Sequence, residues 1–122
     1  MSLSDEQWAF LQDVSKLIEY AKQKGWKITG GELYRTPEQQ EIYVKTGRSK
    51  TYNSYHLKRL AIDLNFFKPI YDENGKLIKH QLTWNYEDIK PFGEYWESLS
   101  PKNRWGGNFR TFKDIPHFER KV

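Results

Sequence analysis

The sequence predicts an α+β fold, a small antiparallel sheet with helices packed against it, and three observations carry that expectation. Apolar residues recur at three- and four-residue spacing in two separated stretches. The run at residues 60–67 is apolar enough for a central strand, and Asn74-Gly75 between two short apolar pairs is a hairpin signal. No repeat, low-complexity tract or linker interrupts the chain, so one domain spanning 1–122 is expected.

Residues 4–24 read as a helix with Trp8, Leu11, Val14, Leu17, Ile18 and Ala21 on its apolar side. Ser4 with Gln7 forms a capping box at its start, and Gly25 stops it. Residues 26–29 alternate like a short strand, which Gly30-Gly31 breaks. Thr36 as N-cap, Pro37 at the first helical position and Gln39 open a second helix that ends near Gly47. Residues 48–55 are polar and aperiodic and read as a loop. The central strand and the Asn-Gly hairpin follow, pairing Ile70-Tyr71 with Leu77-Ile78. A third helix begins at Asn85, runs past Pro91 with Phe92, Tyr95, Trp96 and Leu99 on one side, and ends at residues 100–103. The chain closes through Trp105-Gly106-Gly107 and a strand-like His117-Phe118-Glu119.

Composition narrows the chemistry. Cysteine is absent, which removes disulfides, thiolate ligands and cysteine nucleophiles. A net charge of +4 favours anionic partners, yet Lys and Arg are spread along the chain and form no dense run, so charge alone selects none. Neither paired aromatic strand signatures nor a Gly-x-x-Gly clamp is present, and nucleic acid is not expected as a partner. There is no apolar stretch near spanning length and no visible signal peptide, so membrane insertion is not expected either.

The residues that bear chemistry are His56, Asp63, Asp114 and His117. Zinc binds imidazole nitrogen and carboxylate oxygen, and a catalytic site supplies three protein ligands while leaving a position for water. His56, Asp63 and His117 match that count. Strand alternation puts Ala61, Asp63 and Asn65 on one face and Leu60, Ile62 and Leu64 on the other. A carboxylate inside an apolar run is costly to bury unless paired, hydrogen-bonded or bound to a metal. Asp114, three residues before His117 across a proline turn, is then free to act as general base. Tyr52, Tyr55 and Trp105 are candidates to line a groove, whereas His80 reads as a solvated surface residue.

Ser54-x-His56, Ala61-x-Asp63, Trp105-Gly106-Gly107 and Asp114-x-Pro116-His117-Phe118 together resemble the M15 family of zinc peptidases. Within it the pattern is most similar to the small L-alanyl-D-glutamate peptidases of phage endolysins, which are related to the D-alanyl-D-alanine carboxypeptidases. The resemblance runs over residues 31–119 and implies a hedgehog/D-Ala-D-Ala-peptidase-like fold. It implies Zn2+ on His56, Asp63 and His117, with Asp114 as catalytic acid/base. Arg35 would stabilise the oxyanion or hold a substrate carboxylate, and Ser54 would contact the substrate or support a ligand from behind. Trp105, a groove-lining candidate on the reading of the residues, is expected to contact substrate.

The activity implied is zinc-dependent hydrolysis of the peptidoglycan stem peptide at the L-alanyl-D-glutamate bond, in cell-wall lysis. The neighbouring readings are a carboxypeptidase or dipeptidase that removes terminal D-Ala, and a non-catalytic zinc-containing peptide-binding module. A monomer is expected, held in the host bacterial cytoplasm until released to the wall. One position departs from the family: Arg59 stands where Gly is usual, three residues after the first ligand. If that Gly serves a positive φ, the loop at 57–60 should bend differently here.

Overall fold

A computed structural model describes all 122 residues. In chain order the elements are α1 (Leu3–Gln23), β1 (Lys27–Gly30), α2 (Pro37–Lys45), a 3-10 turn (Tyr55–Lys58), β2 (Ala61–Tyr71), β3 (Leu77–Thr83), α3 (Tyr86–Leu99), β4 (Asn103–Trp105), a second 3-10 turn (Gly106–Asn108) and β5 (His117–Arg120). The α+β class expected from the pattern is the class observed.

The first helix departs from expectation in two respects. Its cap is Ser2, not Ser4: the Ser2 hydroxyl accepts from the Asp5 amide at 3.2 Å and the Asp5 carboxylate accepts from the Ser2 amide at 3.1 Å. Ser2 has the extended backbone a cap requires, whereas Ser4 is already inside the helix. The buried face is also rotated. Phe10, Val14, Leu17 and Ala21 are buried, but Trp8, Leu11 and Ile18 are exposed. The chosen face carries two acids, Glu6 and Asp13, and both find partners. Glu6 accepts from Lys102 at 2.7 Å and from Arg120 at 2.5 Å, and Asp13 accepts from Asn103 at 3.0 Å. Buried carboxylates survive when paired in this way.

The other elements follow their local signals. The Thr36 side chain accepts from the Gln39 amide and Pro37 opens α2; Asn85 caps α3 through the Asp88 amide. Pro91 lies inside α3, where the lost backbone bond and ring clash cost about 3 kcal/mol. Burial of Ile89, Phe92 and Trp96 from the same helix, at about 1.5–3 kcal/mol for each large apolar side chain, outweighs that cost.

The sheet runs β1-β2-β5-β4, with β3 on the far half of β2 as the hairpin partner. All of its pairings are antiparallel. Leu64 and Phe66 of β2 join Phe118 of β5, Trp105 of β4 and the apolar faces of α1 and α3 in the core. Asp63 leaves β2 on the side away from Leu64, and its Cα partner on β5 is His117. A one-residue slip of β2 against β5 would break that pairing, so the buried row of Leu64, Phe66 and Phe118 also fixes the site. No helix is long and apolar enough to cross a membrane.

Candidate metal centre

Three separate segments deliver the site. His56 comes from the 3-10 turn that Ser54 caps: the Ser54 hydroxyl accepts from the His56 amide at 3.2 Å. Asp63 comes from β2, where its amide donates to the Glu32 carbonyl at 2.9 Å and its carbonyl accepts from the Gly31 amide at 2.7 Å. His117 opens β5 after a turn in which its amide donates to the Asp114 carbonyl at 3.1 Å.

One donor atom from each of His56, Asp63 and His117 lies within 4.8 Å of the other two. His56 Nε2 stands 3.4 Å and His117 Nδ1 3.6 Å from Asp63 Oδ1. Those separations are too long for good hydrogen bonds. Asp63 Oδ1 is buried and has no hydrogen-bond partner in the protein. A buried, unpartnered carboxylate oxygen facing two imidazole nitrogens fits a cation, and the mixed nitrogen and oxygen donor set suits zinc.

The outer nitrogens of both rings are already committed. His56 Nδ1 is 2.9 Å from the Leu33 carbonyl, and His117 Nε2 is 2.6 Å from Glu119 Oε1. Neither a carbonyl nor an ionised carboxylate can donate, so each outer nitrogen carries the hydrogen and each inner nitrogen is left to face Asp63.

Charge follows the same geometry. Burial opposes ionisation of Asp63, but the two imidazoles opposite hold its carboxyl well below the usual range. Burial likewise opposes charge on His117, yet the Asp63 and Glu119 carboxylates raise it to about 9 in the metal-free site. Asp114 moves the other way. Burial pushes its carboxyl up, the neighbouring Asp63 adds to this, and the basic side chains His117, His56 and Arg35 offset only part. Its Oδ2 is 4.0 Å from His117 Nδ1 and the side chain remains 42% exposed, so it borders the donor set and is open to a substrate.

A cleft of about 500 Å³ opens over this cluster, with His56, Asp114 and His117 in its lining. Arg35, Ser54 and Tyr55 also reach it, whereas Tyr52 lies outside at 57% exposure. The Arg35 guanidinium is clamped by the Glu32 carboxylate, by Gln40 Oε1 at 2.7 Å and by the Tyr43 ring at 4.6 Å.

Trp105 requires a correction. Expected to contact substrate, it is fully buried. Its indole packs on Gly93 and Gly107, where any Cβ would come within 2.2 Å of the ring, and it stacks on Tyr86 at 5.2 Å. Its Nε1 donates to the Ile115 carbonyl at 2.8 Å, so Trp105 supports the 114–117 turn from the core side.

The loop after the first histidine is the second correction. It does not bend around the missing glycine: Arg59 itself takes the left-handed conformation, at φ 55° and ψ 39°, and closes the 3-10 turn. Its guanidinium lies over the Tyr34 ring at 4.1 Å, a contact that offsets part of the steric cost.

A model of the M15 peptidases described as D-alanyl-D-alanine carboxypeptidase matches residues 47–120, a stretch that holds all three donors and Asp114. The chain belongs to the M15 peptidase family. Arg35 lies outside this stretch, on the preceding segment. This M15 chain is similar to the L-alanyl-D-glutamate peptidase of Listeria phage A118, at 32% identity over 104 residues that cover 85% of the chain and 34% of the relative. It thus spans about a third of that protein's length. Its fold is shared with the L-Ala D-Glu endopeptidase ChiX of Serratia marcescens, at a TM-score of 0.59 and 23% identity over 78% of this chain and 67% of the other.

Four residues that matter to the M15 site were not singled out in the sequence: Glu119 and Arg104 behind His117, and Glu32 and Gln40 around Arg35. Only Glu119 left a trace there, because a residue two positions beyond His117 on a strand shares its face.

Proposed function

We propose that this chain is a zinc-dependent peptidase that hydrolyses the peptidoglycan stem peptide, at the L-alanyl-D-glutamate bond. The observation that carries the reading is the orphaned Asp63 oxygen between two imidazole nitrogens, with an ionisable Asp114 beside it in an open cleft. The similarity to two proteins named for that bond supports the choice of substrate.

His56 through Nε2, His117 through Nδ1 and Asp63 through Oδ1 would hold the ion. Bound there, zinc would lower the pKa of a water to about 7 and polarise a carbonyl. The remaining work falls to the chain's own side chains. Asp114 accepts the proton of the attacking water on its carboxylate and returns it to the departing amine nitrogen. Its Oδ2, 4.0 Å from His117 Nδ1 on the cleft wall, borders the donor set, where both transfers take place. Arg35 faces the charge growing on the carbonyl oxygen. Glu32 and Gln40 fix its guanidinium beforehand, so little reorganisation is needed, and one such donor contributes about 2.7–4 kcal/mol in comparable sites. Ser54 holds the turn that aims His56 and lies 3.5 Å from Arg35 Nη1, linking the two.

The deciding experiment couples metal analysis of the purified protein with mass spectrometry of digested peptidoglycan. New N-terminal D-glutamate with about one zinc per chain supports the proposal. Release of terminal D-Ala alone, the activity in the matched family description, would replace it with a carboxypeptidase. Zinc uptake without any bond cleavage would make the chain a binding module.

A further inference from the structure

His117 differs from His56 in what stands behind it. A neutral carbonyl, that of Leu33, fixes His56, but a buried carboxylate fixes His117: Glu119 is 4% exposed and its Oε1 lies 2.6 Å from His117 Nε2. The other carboxylate oxygen is occupied as well. Arg104 Nε donates to Glu119 Oε2 at 2.8 Å, Nη2 reaches the same oxygen, and the guanidinium rests over the Phe109 ring at 5.6 Å. His117 and Glu119 alternate on one face of β5, and Arg104 comes across from β4, where its Cα partner is Glu119. The strand register therefore builds a line from Arg104 through Glu119 to His117 that ends at Nδ1.

We infer that Glu119 is a positioning residue for the metal ligand His117, and that Arg104 in turn holds Glu119. The inference rests on the zinc reading of the site. Glu119 fixes the ring in the tautomer that leaves Nδ1 free and makes that nitrogen a stronger donor, since a full negative charge faces its Nε2–H. Arg104 uses two nitrogens on one oxygen, so Oε1 cannot rotate away from the ring. A charge buried this deeply without such a role would cost stability for no return.

The test needs no peptidoglycan. Zinc affinity is measured by competition with a chromogenic chelator for the parent chain, Glu119→Gln, Arg104→Ala and Glu6→Gln. Histidine ring nitrogen shifts are recorded alongside by NMR. Glu119→Gln keeps the shape but not the charge, and is expected to weaken zinc binding about 10- to 100-fold with a shift of the His117 ring nitrogens. Arg104→Ala, at a half-exposed side chain, is expected to give a smaller loss in the same direction. Glu6→Gln breaks a buried ion pair away from the site and should lower thermal stability while zinc affinity stays at the parent value. Parent-like affinity and ring shifts in both Glu119→Gln and Arg104→Ala would overturn the inference and leave the metal site standing. Failure of the parent chain itself to bind zinc would overturn the metal reading, and this inference with it.

Discussion

The carbonyl oxygen of Asp114 sits over Gly106, where a Cβ would come to within 2.2 Å of it, and the Gly106 carbonyl accepts the Asp114 amide at 2.9 Å. The same Cβ would meet His117 Cβ at 3.0 Å. Backbone contact at this distance cannot be relieved by turning a side chain. Gly106→Ala is therefore expected to move the 114–117 turn, costing about 1–3 kcal/mol of stability and lowering activity more than that loss implies. Chemical denaturation with zinc titration checks it; parent-like stability and turnover would show that the turn does not depend on this contact.

Asp114→Ala and His56→Ala should separate binding from chemistry. The first removes a carboxylate that borders the donor set, so zinc is retained while hydrolysis falls about 10²- to 10⁴-fold. The second removes a donor, and both zinc and hydrolysis are lost. Full turnover in Asp114→Ala would remove it from the reaction.

Chelation is expected to destabilise the protein without unfolding it, because the core of α1, α3 and the sheet does not include the donors. With free zinc at 100 times its Kd the bound form gains about 2.7 kcal/mol. Calorimetry with and without chelator should show a lower Tm in the stripped protein and full recovery on adding zinc. An unchanged Tm would contradict a resident ion.

Arg59→Gly tests how the chain manages its left-handed residue. Removing the side chain relieves about 1–2 kcal/mol of steric cost. It also forfeits a contact with Tyr34 worth about 0.5–1 kcal/mol and frees the unfolded chain by about as much again. The terms nearly cancel, so the change should stay under about 1 kcal/mol. Arg59→Val keeps the strain and loses the contact, and must be clearly less stable. Urea melts of the two variants decide the order.

Acid stability should depend on Glu6. Hydrogen bonds from Lys102 and Arg120 hold its carboxyl below the usual glutamate value. A carboxyl depressed in the folded state contributes stability above its unfolded pKa and loses it as pH falls through the folded one. Glu6→Gln is thus expected to lower stability at neutral pH and to flatten its decline on acidification. Parallel pH profiles for the two proteins would show that Glu6 does not contribute.

Much of this molecule was legible in one dimension because the signals were local. Thr36-Pro37, Asn85 and Asn74-Gly75 act within a few residues, and each produced the element it announced. Period-two alternation put Asp63 on the face opposite Leu64 for the same reason. The reading of α1 failed where two apolar stripes competed. Trp8, Leu11 and Ile18 repeat as regularly as Phe10, Val14 and Leu17, and only the arrival of Arg120, Lys102 and Asn103 makes the face with Glu6 and Asp13 the buried one. Trp105 failed similarly, since the glycines that accept its ring are contributed by α3 and by the turn after β4.

The sequence by itself determined the α+β class, the residue types able to bind a metal and the strand face that carries Asp63, because periodicity and ligand chemistry are properties of neighbouring residues. Tertiary structure alone decided that His56, Asp63 and His117 meet around one unpartnered oxygen, that Glu119 and Arg104 stand behind His117, and that Arg59 takes a glycine's conformation. The physical reason is distance along the chain. These relationships join β2, β4, β5 and two loops, and are set by the register of the sheet and the packing beneath it.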